Sequence, residues 1–216
     1  MTDLNFTHMR QAMVASQLRT TAVNDPRVIA AMGAVPRERF VPQENAALAY
    51  IDRSIPLGSG RALNPPMTTG RLLTEAHPRA EDHALVIGGA TGYAAALLAE
   101  LVASVVLLEE DAALLGVARR VPASPRVSIV EGPLAAGWKK KGPYDLILID
   151  GAVEVVPQAI IDQLADGGRL AAGILDRGVT RLSLGRRSGK GFGLVAFADA
   201  EAVALPGFAQ PKSFSF

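Results

Sequence analysis

The chain contains no cysteine, which excludes disulfide staples, thiolate nucleophiles and cysteine-built zinc sites together. Histidine is scarce as well: His8, His77 and His83 lie far apart, without the spacing that holds a metal. They read as structural or surface side chains, and no metal is expected. An excess of one charge is also missing, because 22 Lys and Arg against 21 Asp and Glu leave a net charge of +1. That balance lacks the concentrated basic field of sequence-independent nucleic-acid binding, so no nucleic-acid partner is expected. No apolar run reaches the roughly 18 residues that would span a bilayer. The stretch from Met1 to Leu18 shows no charged-then-apolar secretory pattern. A cytoplasmic protein with a small-molecule or peptide partner, and no membrane association, is the expectation.

What the chain does have is the balance of a packed globule, with 49% hydrophobic and 20% charged residues over 216 positions. That is the size of one α/β domain. Apolar periodicity predicts a helix from Met9 to Leu18, and a second opening at Asn24-Asp25-Pro26, where a side-chain oxygen caps the amides, and stopping at Pro36. Pro42, Pro56, Gly58, Gly60, Pro65 and Pro66 make the stretch from Val41 to Pro66 an irregular loop near a site.

A helix from Thr68 to Ala76 then leads into the apolar run Ala84-Leu85-Val86-Ile87, a buried parallel strand. Alternation follows: helix Tyr93 to Leu101, strand Val105 to Leu108, helix Ala112 to Arg120, and strands Val127 to Val130 and Leu146 to Ile149. A helix from Pro157 to Leu164 and a strand from Arg169 to Ile174 complete the alternation. Strands Arg181 to Leu184 and Leu194 to Phe197 then close as a hairpin around Ser188-Gly189-Lys190-Gly191. The fold expected is a doubly wound, Rossmann-like sheet, mostly parallel, with a C-terminal antiparallel hairpin and an N-terminal helical extension. Residues 1–66 carry the helices and the substrate-side loop, and residues 67–216 the core. Lys139-Lys140-Lys141 reads as a solvated loop, and Arg186, Arg187 and Lys190 as ordinary turn-tip charges.

Chemistry in such a sheet belongs at the carboxyl ends of its strands. The turn Gly88-Gly89-Ala90-Thr91-Gly92 lets backbone amides approach a ligand at a helix start, although tight packing alone also explains glycines there. Glu109-Glu110 closes the next strand, 21 residues beyond Gly88, where a carboxylate accepts from ribose hydroxyls; the spacing suits NAD and S-adenosylmethionine alike. Glu109 is the preferred ligand, and its loss is expected to weaken nucleoside binding with the fold intact. Gly132 and Pro133, after the third strand, stand where an adenine would lie. Ala90 and Tyr93 break the G-x-G-x-x-G spacing, which reduces a dehydrogenase to a minor alternative. Asp150, at the end of the fourth strand, is a candidate base or a loop cap. No G-x-S-x-G turn supports hydrolysis.

Several stretches resemble the protein-L-isoaspartate O-methyltransferase family: Val35-Pro36-Arg37-Glu38-Arg39-Phe40-Val41-Pro42, Ala49-Tyr50-Ile51-Asp52, Pro56-Leu57-Gly58, Gly92-Tyr93, Pro143-Tyr144-Asp145 and Gly167-Gly168. The resemblance implies a class I methyltransferase fold, S-adenosylmethionine as cofactor, and methyl transfer to a protein or peptide carboxylate exposed when aspartate isomerises. A carboxylate is already a nucleophile, so such an enzyme mainly aligns the reactants and excludes water.

The departures from the family pattern cluster at the site. Where the family reads Gln-Thr-Ile-Ser-Gln-Pro, this chain has Arg61-Ala62-Leu63-Asn64-Pro65-Pro66. Asn64, in the serine position, is expected to donate to the reacting carboxylate, and Arg61 to pair with it. Val86, Ala90 and Pro133 stand where the family has an acidic residue, a glycine and an acidic residue. Thr91 and Glu110 are the candidates to compensate. The alternative implied is a catalytically silent binding or regulatory protein that keeps the fold with weakened cofactor binding.

Overall fold

The computed structural model describes residues 5–121 and 124–210. Helix α1 (Phe6–Met13) starts where the Asn5 side chain accepts from the His8 amide, and a π-helical turn carries it on through Val14–Leu18. Helix α2 (Pro26–Ala34) has Asp25 as its cap and proline in its first turn, the start expected from Asn24-Asp25-Pro26. Two 3₁₀ turns, Arg37–Phe40 and Gln43–Leu48, follow.

The stretch expected to be wholly irregular contains a small antiparallel pair, β1 (Ile55–Gly58) and β2 (Arg61–Leu63). Gly58, Ser59 and Gly60 all take positive φ, so the glycines and serine read as loop residues make a hairpin tip instead. Helix α3 (Pro66–Ala76) then begins two residues earlier than Thr68, because Pro66 is compatible with a first helical turn.

The core is a seven-stranded sheet of order β5-β4-β3-β6-β7-β8-β9, formed by β3 (His83–Ile87), β4 (Ser104–Glu109), β5 (Val127–Glu131), β6 (Tyr144–Val153), β7 (Leu164–Asp176), β8 (Val179–Ser188) and β9 (Gly191–Asp199). Strands β3 to β7 pair in parallel, and β8 and β9 return antiparallel. Ala84, Leu85, Val86 and Ile87 are fully buried, which is what a continuous apolar run produces when helices cover both faces. Helices α4 (Tyr93–Ala99) and α5 (Ala112–Arg120) make the crossovers, and Asp111 caps α5 by accepting from Ala113 and Leu114.

Two corrections bear on the site. The helix expected from Pro157 to Leu164 is one turn, α6 (Gln158–Ile161), because Leu164 already pairs with Tyr144 as the start of β7. Strand β6 runs four residues past Ile149 to Val153. The extension is held from outside the sheet, where the Ala152 amide donates to Val203 O at 2.7 Å and the Leu205 amide donates to Ala152 O at 2.9 Å. The C-terminal segment is therefore drawn across the carboxyl ends of the strands, over the crevice where a ligand would sit.

Candidate active site and cofactor cleft

Strand β3 leaves the sheet through Gly88–Gly92, with left-handed φ at Gly88 (72°), Ala90 (48°) and Gly92 (99°). Glycine takes that conformation freely, whereas Ala90 carries a steric cost of about 1 kcal/mol there. A side chain at Gly89 would start 2.9 Å from Leu107, so packing already requires that glycine. The Thr91 hydroxyl does not face the cleft: it donates to Phe40 O at 2.7 Å and ties the turn to the N-terminal extension. It is not placed to compensate at a ligand.

Glu109 ends β4 beside this turn and is completely buried. Its Oε2 accepts from the Ala90 amide at 2.9 Å, and its Oε1 from the Glu110 and Asp111 amides at 2.9 and 3.2 Å. The remaining lone pairs go to Arg61, whose Nη1 and Nη2 reach Oε1 and Oε2 at 2.7 and 3.0 Å in a bidentate pair; Nη2 also donates to Gly88 O at 3.1 Å. Arg61 itself is 6% exposed. Arg61, expected to pair with an acceptor carboxylate, here pairs with Glu109. Glu109 and Arg61 are both buried, and a bidentate charged pair is strong where its surroundings are of low dielectric.

Asn64 and Asp150, read separately from the sequence, face each other. The Asn64 Nδ2 donates to Asp150 O and Oδ1, both at 2.9 Å, and its Oδ1 accepts from the Val203 amide at 2.8 Å. The carboxamide therefore braces β6 and the C-terminal segment, rather than holding out a donor to a substrate. Beneath it, the buried Arg37 donates from Nε to Ala49 O at 2.7 Å and from Nη2 to Asn64 O at 2.5 Å, with its guanidinium 4.8 Å from the centre of the Tyr93 ring.

Burial raises the Asp150 carboxyl above its ordinary value, against the opposing pull of the Asn64 hydrogen bond and of Arg37 and Arg61. The folded state therefore holds this proton more tightly than the unfolded chain. The stability this group contributes is complete below the ordinary carboxylate pKa and is lost as pH rises through the raised value. Asparagine keeps an acceptor toward Asn64 and does not titrate. We predict that the stability of Asp150→Asn relative to wild type shifts in the variant's favour as pH rises through that window. Denaturant titrations across pH 3 to 8 read this, and a pH-independent difference would show that Asp150 is not desolvated.

On the β5 side, Glu110 is exposed and its Oε2 accepts from the Leu134 amide at 3.3 Å. The Gly132 amide donates to Glu109 O at 3.2 Å, the Trp138 ring lies against Gly132, and Pro133 is exposed. These residues form a rim rather than a contact surface with Glu109. Sequence reasoning missed Leu205, which is 8% exposed. It lies so close to the glycine turn that a side chain at Gly88 would start 2.7 Å from its Cδ1, and one at Gly151 would start 2.8 Å from its Cγ. No local pattern in Ala204-Leu205-Pro206 marks it; its role comes from the β6 extension.

The cleft can now be tested for S-adenosylmethionine. It has a glycine turn, an acidic residue at the end of the second parallel strand and a rim on the third. As built, the residues do not fit the group: both Glu109 oxygens are saturated by internal donors, and Leu205 covers the turn.

The sequence profile of the protein-L-isoaspartate(D-aspartate) O-methyltransferase family matches residues 8–202. A protein-L-isoaspartate O-methyltransferase of Methanoculleus marisnigri is 39% identical over 166 residues, 76% of each chain. One of Herpetosiphon aurantiacus is 35% identical over 201 residues, covering 92% of this chain and 90% of its own. In fold, a Plasmodium falciparum protein assigned to the same activity and solved with S-adenosyl-L-homocysteine superposes with a TM-score of 0.78 at 18% identity, over 94% of this chain and 99% of its own. Methyl transfer from S-adenosylmethionine is the reaction of this family. On sequence match and fold together, the chain belongs to the protein-L-isoaspartate(D-aspartate) O-methyltransferase family.

Proposed function

We propose that this chain is an S-adenosylmethionine-dependent O-methyltransferase acting in the cytoplasm on a carboxylate of altered aspartyl residues in a protein or peptide. One observation carries the reading. In a chain of this family, the Gly88–Gly92 turn, Glu109 and the Asn64–Asp150 pair meet at the carboxyl ends of three adjacent parallel strands, β4, β3 and β6. That crevice is where an open α/β sheet binds its ligand. In this reading the backbone of the turn Gly88, Gly89, Ala90, Thr91 and Gly92 with Glu109 makes the donor end, and Glu110, Gly132 and Pro133 make the adenine rim. Asn64 and Asp150 form the wall toward the acceptor. Residues 1–66 and 67–216 work as one domain, the first lying over the second; Thr91 to Phe40 and Asn64 to Asp150 are bonds that support this.

The alternative is a silent relative that keeps the fold, and the internal pairing of Glu109 and Asn64 favours it. The discriminating assay supplies methyl-labelled S-adenosylmethionine with an isoaspartyl peptide and with its ordinary aspartyl counterpart. Base-labile label on the isoaspartyl peptide alone is the expected result. No transfer to either peptide, even at millimolar donor, would overturn the enzyme reading in favour of the silent one.

A further inference from the structure

We infer that Arg61 sets the donor affinity of this chain by closing the cofactor cleft from within, so that the donor binds only when the guanidinium leaves Glu109. This rests on the reading of the cleft as the donor site. An ionised carboxylate offers about four lone-pair sites, and Glu109 accepts from the Ala90, Glu110 and Asp111 amides and from two guanidinium nitrogens. Nothing remains for a ribose diol. The backbone donors belong to the turn and to the start of α5 and cannot leave without unfolding them. Arg61 arrives on the side chain of the short hairpin β1–β2, whose tip residues Gly58, Ser59 and Gly60 are exposed, and is the one partner that can swing away.

The second half of the closure is apolar. Leu205 is held over Gly88 and Gly151 because Val203 is fastened to Asn64 and Ala152, and Leu205 to Ala152. Charge and shape therefore close the same crevice from two different segments, one before the glycine turn and one after β9. The Arg61 Nε, buried without a partner, adds to the case. This guanidinium is placed by its two contacts to Glu109 and one to Gly88 O, with Nε left over, so its release gives up a set of hydrogen bonds that is already incomplete.

The test is calorimetric titration of wild type, Arg61→Gln and Leu205→Ala with S-adenosyl-L-homocysteine, after circular dichroism and thermal melts have established that each is folded. Glutamine leaves Glu109 its three backbone donors and removes the bidentate cation. Leucine truncation leaves every charge in place, so a fold defect from a stranded buried carboxylate cannot mimic the second result. The expected outcome is wild-type binding at least tenfold weaker than that of Arg61→Gln, with Leu205→Ala also tighter than wild type. Equal micromolar affinity in wild type and Arg61→Gln would overturn the inference and leave the proposed function standing. Absence of binding in all three at millimolar ligand would overturn both.

Discussion

Replacing Glu109 with alanine is expected to lower the stability of the fold by about 3–5 kcal/mol, the usual cost of stranding one member of a buried ion pair. At roughly 2–4 °C per kcal/mol for a chain of this size, the melting midpoint falls by about 6–20 °C. The cost has two parts. The alanine leaves the guanidinium of Arg61 buried against Gly88 O without a counter-charge, and it removes the acceptor of the Ala90, Glu110 and Asp111 amides, which join the glycine turn to the start of α5. A thermodynamic cycle separates them. Removing Arg61 as well, in Glu109→Ala/Arg61→Met, abolishes the stranded charge but not the orphaned amides, so the double variant recovers part of the loss and not all of it. A single variant as stable as wild type would show that the pair is solvated and that the cleft is not closed. The result also changes how any affinity loss in Glu109→Ala is to be understood, since read as a free ribose ligand this residue was expected to be dispensable for folding.

That difference marks the boundary of what was legible in the chain. The parallel core could be read because it rests on local patterns: an apolar run such as Ala84 to Ile87 has only one favourable burial, and α5 begins at its Asp111 cap and ends at Arg120 as its periodicity requires. The meeting of the glycine turn with Glu109 followed from the same patterns, because adjacent parallel strands bring their carboxyl ends together once the sheet forms. What each site residue touches did not follow. Arg61 meets Glu109 across 48 positions, Asn64 meets Asp150 across 86, and Val203 meets Asn64 across 139. Partners at such separation are chosen by the packing of whole segments, and no spacing rule encodes them. The departures Arg61 and Asn64 were visible as departures. Their consequence, two side chains turned inward onto Glu109 and Asp150, is set only by the packed fold.

Arg37 shows the same limit from the opposite direction, since it lies in the family-like stretch Val35 to Pro42, yet nothing in Pro36-Arg37-Glu38 marks it as buried. Substitution of Arg37 by methionine is expected to cost about 2–5 kcal/mol: the carbonyls of Ala49 and Asn64 each lose a buried donor at roughly 1–3 kcal/mol, partly offset by the removal of a desolvated cation. Burial holds this guanidinium below its ordinary pKa, which is the sign of that desolvation. Methionine fills comparable volume over the Tyr93 ring, so packing loss is a minor contribution. Lysine separates geometry from charge. Its single amine restores the cation but cannot reproduce a fork that reaches Ala49 O and Asn64 O from different nitrogens, so Arg37→Lys should regain less than half of the stability lost. The functional consequence follows from what Asn64 does. Once its carbonyl is released, the carboxamide that fastens Asp150 and Val203 loses its support, and the amides of Val203 and Leu205 should exchange with solvent faster in native-state hydrogen exchange than those of β3. Full rescue by lysine would mean that charge alone matters at position 37. Unchanged exchange at Val203 and Leu205 would mean that the closure of the cleft does not depend on the N-terminal extension.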